Sequence, residues 1–72
     1  MNNLTDAEKA ERLTEREKEV LQLLADGLTS IQIGEQLNIS AHTVATHRKN
    51  MKRKLSVRTS ADLIRIALAV RG

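Results

Sequence analysis

Residues Thr29–Leu55 read TSIQIGEQLNISAHTVATHRKNMKRKL. Two helices are written in this stretch. Thr29 and Gln32 stand at capping-box spacing, where a hydroxyl and a side-chain amide each satisfy a backbone N–H that the first turn leaves without a partner. Ile33 and Leu37 then face inward. Asn38 tolerates the left-handed conformation that ends a helix, and Ser40 is a good N-cap for the next one. With only about three residues between them, the two helices must cross steeply, as in a helix-turn-helix. Gly34 lies inside the first of them, where it costs about 1 kcal/mol relative to Ala. The expectation is that another helix passes too close there for a side chain.

The second of these helices is expected over 41–55. At 100° per residue, Val44, Met51 and Leu55 fall within about 40° of one another and make a narrow apolar seam. His47 flanks that seam and is read as a packing residue. On the opposite side lie His42, Ala45, Thr46, Lys49 and Arg53, with Arg48 and Lys52 on one shoulder. From Ser40 to Arg58 the chain carries six Lys or Arg and no acid. One stripe of this helix is buried, and the other meets something anionic.

Before this pair, Thr14 and Glu17 make another capping box, followed by an apolar stripe of Val20, Leu21, Leu23 and Leu24. Gly27 is placed to stop that helix in a left-handed turn. After the pair, Thr59 caps a last helix with Asp62 in its first turn. From Ala61 to Val70 only Asp62 and Arg65 are polar. The apolar arc there covers roughly 220°, well beyond the 100° or so that one core contact needs. Such a helix has apolar surface left over, and a second copy of the chain is its simplest partner. Residues 1–12 are expected to be a flexible N-terminal segment in which Thr5 and Glu8 can cap a short turn. Residues 13–72 are expected to be a single domain.

Composition sets the limits. Seventy-two residues without Cys or Pro, and without a single aromatic ring, suit one small all-α domain with no disulfide framework and no thiolate metal site. No apolar run reaches membrane-spanning length, so no membrane role is expected and the protein is placed in the cytoplasm. The formal charge of +3 hides an asymmetry. Residues 1–38 hold four bases and eight acids, whereas residues 39–72 hold eight bases and one acid. A basic half beside an acidic half points to a polyanion-facing surface on one side.

Enzyme chemistry finds little footing. His42 and His47 stand about 140° apart on their helix and cannot share a metal. No Gly-rich phosphate loop or nucleophile–base pair can be found. No catalytic residue, metal or cofactor is expected. Duplex DNA, by contrast, offers a major groove wide enough for one α-helix, flanked by phosphates for the cations. Single-stranded nucleic acid fits less well, because its binders stack bases on aromatic rings.

The span LTEREKEVLQLLADGLTSIQIGEQLNISAHTVATHRKNMKRKLSVRTSADLIRIAL, Leu13 to Leu68, resembles the LuxR/GerE/FixJ-type helix-turn-helix domain of bacterial transcription regulators. The likeness is carried by Leu13-Thr14, Arg16-Glu17, Val20-Leu21, Gly27-Leu28, Ile33, Leu37, Ile39-Ser40, Thr43-Val44, His47, Lys54-Leu55 and Val57-Arg58. It implies a four-helix domain whose third helix enters the major groove and whose last helix makes a homodimer. The helix-turn-helix would then span about 29–55 and the dimerisation helix about 60–71. The framework would be Glu17, Leu21, Gly27, Ile33, Leu37, Ile39, Val44, Met51 and Leu55. Residues at the places of Ala45, Thr46 and Lys49 would reach base edges. Those of Thr43, Arg48, Asn50 and Lys52, together with Arg53 and Arg58, would meet phosphates. The dimer would use Leu63, Ile64, Ile66, Ala67, Leu68 and Val70. An N-terminal regulatory domain or RNA polymerase is the further partner expected, the polymerase on the sigma-factor alternative, and the expected site of action is the nucleoid. Three positions depart from the pattern. Ala45 stands where Lys is frequent, Gly34 replaces the usual Ala, and Ile31 replaces a polar residue. Two alternatives remain at this level: a promoter-binding domain like region 4 of sigma factors, and a helical module that binds only protein.

Overall fold

The computed structural model describes residues 4–71. Within them the chain forms α1 (Asp6–Ala10), α2 (Glu15–Ala25), α3 (Ser30–Leu37), α4 (Ala41–Leu55) and α5 (Ser60–Arg71). The all-α helix-turn-helix architecture is the expected one, but the helix count is five.

The additional helix falls in the segment expected to be flexible. Thr5 and Glu8 form a complete capping box, with Thr5 N–H donating to Glu8 Oε1 at 3.0 Å and Glu8 N–H to Thr5 Oγ1 at 3.1 Å. What turns this capped turn into a docked helix is tertiary. Ala10 and the following Leu13 are buried, and Asp6 accepts a charged hydrogen bond from Arg65 of α5.

The other helices start where their caps place them. Thr14 and Glu17 cap α2, Thr29 and Gln32 cap α3, and Ser40 Oγ accepts the Thr43 N–H at the start of α4. Thr59 does the same for Asp62 in α5. The stops are equally local. Gly27 takes φ +90 after α2, and Asn38 takes φ 59 after α3. Ser56 ends α4 in the same left-handed region.

Gly34 requires a correction. A Cβ there would lie 2.6 Å from the carbonyl oxygen of Ile39 and 3.3 Å from the Ala41 nitrogen. The close neighbour is therefore the backbone of the turn into α4, not a passing helix. The glycine lets α3 and α4 meet at a tight corner.

One core joins the elements. Val20, Leu21 and Leu24 of α2, Ile33 of α3, and Val44, Met51 and Leu55 of α4 are buried with Leu63, Ile66 and Ala67 of α5. Leu37 and Ile39 pack half-buried at its margin. By packing on this core, α4 is held across α3 with its seam inward and its other side outward.

Candidate nucleic-acid interface

Helix α4 is continuous over four turns, and each face has a distinct environment. Val44, Met51 and Leu55 are 0% exposed. Ala41, His42, Ala45, Thr46, Lys49 and Arg53 are exposed, while Thr43, Arg48, Asn50 and Lys52 are half-buried at the margins. The exposed stripe is thus the one that helical spacing placed opposite the seam. Thr46 and Lys49, two of the three residues expected at base edges, lie near its middle, and the third, Ala45, lies toward one edge.

Thr46 has one preference built in. Its hydroxyl donates to the His42 carbonyl one turn back, at 3.2 Å. The hydroxyl hydrogen is thereby used within the helix, which leaves the methyl and the oxygen lone pairs to face outward. Thr43 lies at the start of α4, with its own hydroxyl 2.9 Å from that of Ser40. Ser40 Oγ already accepts the Thr43 N–H, and the positive end of the α4 dipole favours an anion near this first turn.

The cations divide into two groups. Lys49, Lys52, Arg53 and Arg58 make no ion pair among the described residues. They stand as uncompensated positive charge on and beside α4. Lys54 and Arg48 are turned to internal use. Lys54 Nζ bonds Glu17 Oε1 at 2.8 Å, and the same oxygen accepts the Thr14 N–H at 2.8 Å. Burial raises the pKa of the Glu17 carboxyl, but Lys54 and Thr14 outweigh it and the net direction is downward. Glu17 therefore serves as a framework residue in two ways, capping α2 and gripping the last turn of α4. Arg48, expected at a phosphate, instead donates from Nη1 to Ser30 Oγ at 2.6 Å and from Nη2 to Ser60 Oγ.

The expected dimer residues separate on α5. Leu63, Ile66 and Ala67 are 0%, 1% and 0% exposed and belong to the core, which corrects the expectation for these three. Val70 and Ile64 are half-buried against that core. Leu68 is 51% exposed. Ala61 and Leu68 are exposed, and the half-buried Ile64 lies between them at helical spacing, at the margin of the core. Two arginines pin α5 from either side: Arg65 to Asp6 of α1, and Arg71 to Asp26 and the Gln22 carbonyl at the end of α2.

Three features were missed at the level of sequence: the Arg48 bonds, the Glu17–Lys54 pair and the α5 pins. They join residues 12 to 59 positions apart, for which local spacing carries no signal. The one legible hint was the repeated Thr-Ser dipeptide at the starts of α3 and α5. A shallow groove of about 360 Å³ between α2 and α3 is lined by residues such as Leu23 and Leu37, and none of its lining comes from α4 or α5. Among the described residues there is no group of three or more acids, histidines or cysteines placed to hold a metal ion. No helix among them is long and apolar enough to cross a membrane.

These features define a helix-turn-helix domain that presents a cationic helix face. Residues 11–67 match the family of bacterial regulatory proteins of the luxR type. The chain belongs to that family and is a DNA-binding domain of its transcription regulators, which are not a class of enzymes. It is 46% identical over 61 residues to the transcriptional regulatory protein MctR of Rhizobium johnstonii, covering 85% of this chain and 28% of that protein. It is 49% identical over 57 residues to the response regulatory protein YgeK of Escherichia coli, covering 79% of this chain and 39% of that one. With the nitrate/nitrite response regulator protein NarP of Escherichia coli, identity is 48% over 60 residues, or 83% and 28% of the two chains. The matched region thus spans well under half the length of these relatives.

Proposed function

We propose that this chain binds duplex DNA in a sequence-specific manner, as a bacterial transcription regulator or the effector domain of one, with α4 in the major groove. One observation carries this reading: the stripe opposite the Val44–Met51–Leu55 seam is exposed, and Lys49, Lys52, Arg53 and Arg58 on and beside it make no ion pair among the described residues. Ala45, Thr46 and Lys49 face the base edges. Thr43, Asn50, Lys52, Arg53 and Arg58 face phosphates on either side. Lys49 can donate to guanine O6 or N7, and Thr46 offers its methyl to thymine. Leu68, with Ile64 beside it, pairs with the same residues of a second copy, so that two α4 helices address two half-sites. On this reading the protein acts at the bacterial nucleoid in the cytoplasm. An N-terminal regulatory domain or RNA polymerase is its further partner.

The test is a titration against a duplex that the domain itself selects from a random pool. Affinity should fall linearly with salt on a log–log plot, with a slope of about 0.9 for each phosphate neutralised and several phosphates per subunit. A flat response would sink the reading in favour of a module that binds only protein, and equal affinity for single strands would overturn the assignment of α4 to a duplex groove.

A further inference from the structure

Among the cations between Ser40 and Arg58, Arg48 has the least expected surroundings. Its guanidinium joins two hydroxyls that are distant in sequence, Ser30 and Ser60. Each serine is the first residue of its helix, α3 in one case and α5 in the other. Each follows a threonine that already caps that helix, Thr29 accepting from the Gln32 N–H and Thr59 from the Asp62 N–H. The Thr-Ser pair therefore divides two tasks. The threonine satisfies the helix end, and the serine oxygen stays available to the arginine.

Helix dipoles do not favour this placement, because a cation beside two helix N-termini meets the positive end of both. A planar fork with donors on separate nitrogens can nonetheless span two acceptors, as a lysine's single ammonium cannot do with the same geometry. What the arrangement accomplishes is mechanical. The middle of α4 is tied to the start of the helix before it and to the start of the helix after it.

We propose that Arg48 is a positioning residue: through Ser30 and Ser60 it sets the angle of α4 against α5, and so the half-site spacing that a dimer of this domain accepts. The proposal rests on the DNA-binding reading above. It assigns to Arg48 a task different from that of Lys52 or Arg53, which make no ion pair among the described residues.

The wild-type domain is first used to select a two-half-site duplex from a random pool, and spacers lengthened or shortened by single base pairs are then compared. Arg48→Gln should lose on the order of tenfold in affinity at the preferred spacing, the factor that one charge-assisted hydrogen bond supplies. It should lose less on the shifted spacers, so that spacing preference flattens. The salt slope should stay at the wild-type value. The double variant Ser30→Ala/Ser60→Ala removes no cation and should flatten the preference in the same way. Arg48→Lys should fail to restore it.

The opposite pattern overturns the proposal. In that case Arg48→Gln lowers the slope by about 0.9 while spacing preference stays intact, Arg48→Lys restores binding, and the serine variant behaves as wild type. If Arg48→Gln does not fold, the serine variant decides alone, and an unchanged spacing preference in it overturns the proposal. Failure of the DNA-binding reading itself would be seen earlier, as a wild-type domain that selects no duplex.

Discussion

Helices α4 and α5 each lay three fully buried side chains into the core, Val44, Met51 and Leu55 from one and Leu63, Ile66 and Ala67 from the other. They differ in what they leave outside. The outer stripe of α4 is polar and cationic, with Thr46, Lys49 and Arg53 exposed. That of α5 is largely apolar, with Leu68 half exposed and Ala61 and Ile64 beside it, and its arginines drawn aside to Asp6 and Asp26. Burial of an inner face follows the same physics in both helices. Partner choice lies in the remainder: a charged remainder attracts a polyanion, and an apolar one attracts another apolar surface.

The largest effect that can break this comparison is expected inside α5. Ile66→Glu places a carboxylate where exposure is 1%. It should cost more than about 4 kcal/mol and unfold so small a domain, as read by thermal melting followed by circular dichroism. Leu68→Glu, two residues on, should shift the melting free energy by no more than about 0.5 kcal/mol. It should instead reduce cooperative binding to a two-half-site duplex. If Leu68→Glu unfolds the domain as Ile66→Glu does, or folds and leaves cooperativity unchanged, the outer face of α5 has no partner and the contrast with α4 is lost.

A smaller effect sharpens the description of α4. Lys49→Ala should cost about 1–3 kcal/mol on the selected duplex and relax preference at one base pair per half-site. Lys52→Ala should weaken all sequences about equally and lower the salt slope by about one unit. Single-base variants of the selected duplex separate the two outcomes. An equal loss on every sequence for Lys49→Ala would make it a phosphate contact, and the central stripe would not read bases.

The smallest effect concerns how α4 is anchored. Glu17 has a lowered pKa in the folded protein, against an ordinary value of 4.5. A depressed carboxyl contributes stability that is present above the unfolded value and is lost as pH falls through the folded one. Acidification below about pH 4.5 should therefore remove about 1 kcal/mol, the low end for a charge-assisted bond whose lysine is partly exposed. Glu17→Gln should remove most of that pH dependence while keeping an acceptor for the Thr14 N–H. Chemical denaturation across pH measures both. An unchanged acid dependence in the variant would mean that the Glu17–Lys54 bond does not hold the end of α4.

The two helices also differ in how far they could be read in advance. For α4 the apolar seam spans so narrow an arc that only one orientation buries it, and the outer stripe of Ala45, Thr46 and Lys49 follows from spacing alone. For α5 the arc is too wide to have a single phase. Ile66 and Leu68 are equivalent by composition, and only the packing of α1, α2 and α4 against one side makes the first core and the second surface.

The starts of α2 to α5 and the stops of α2 and α3 were legible in the sequence, because a cap acts between residues three apart and a left-handed stop acts at one residue, Gly27 or Asn38. The sequence also determined the charge of one half of the chain and the face of α4 that stays outside. Only the tertiary structure decided that residues 6–10 dock as a helix, that Gly34 meets the turn and not a helix, and that Arg48 and Lys54 serve the fold while Lys49, Lys52, Arg53 and Arg58 make no ion pair among the described residues. Each of those outcomes depends on groups brought together from elsewhere in the chain, such as Ser60 for Arg48 and Glu17 for Lys54. The contacts come into being only when the core closes, because nothing local holds those partners within hydrogen-bonding distance.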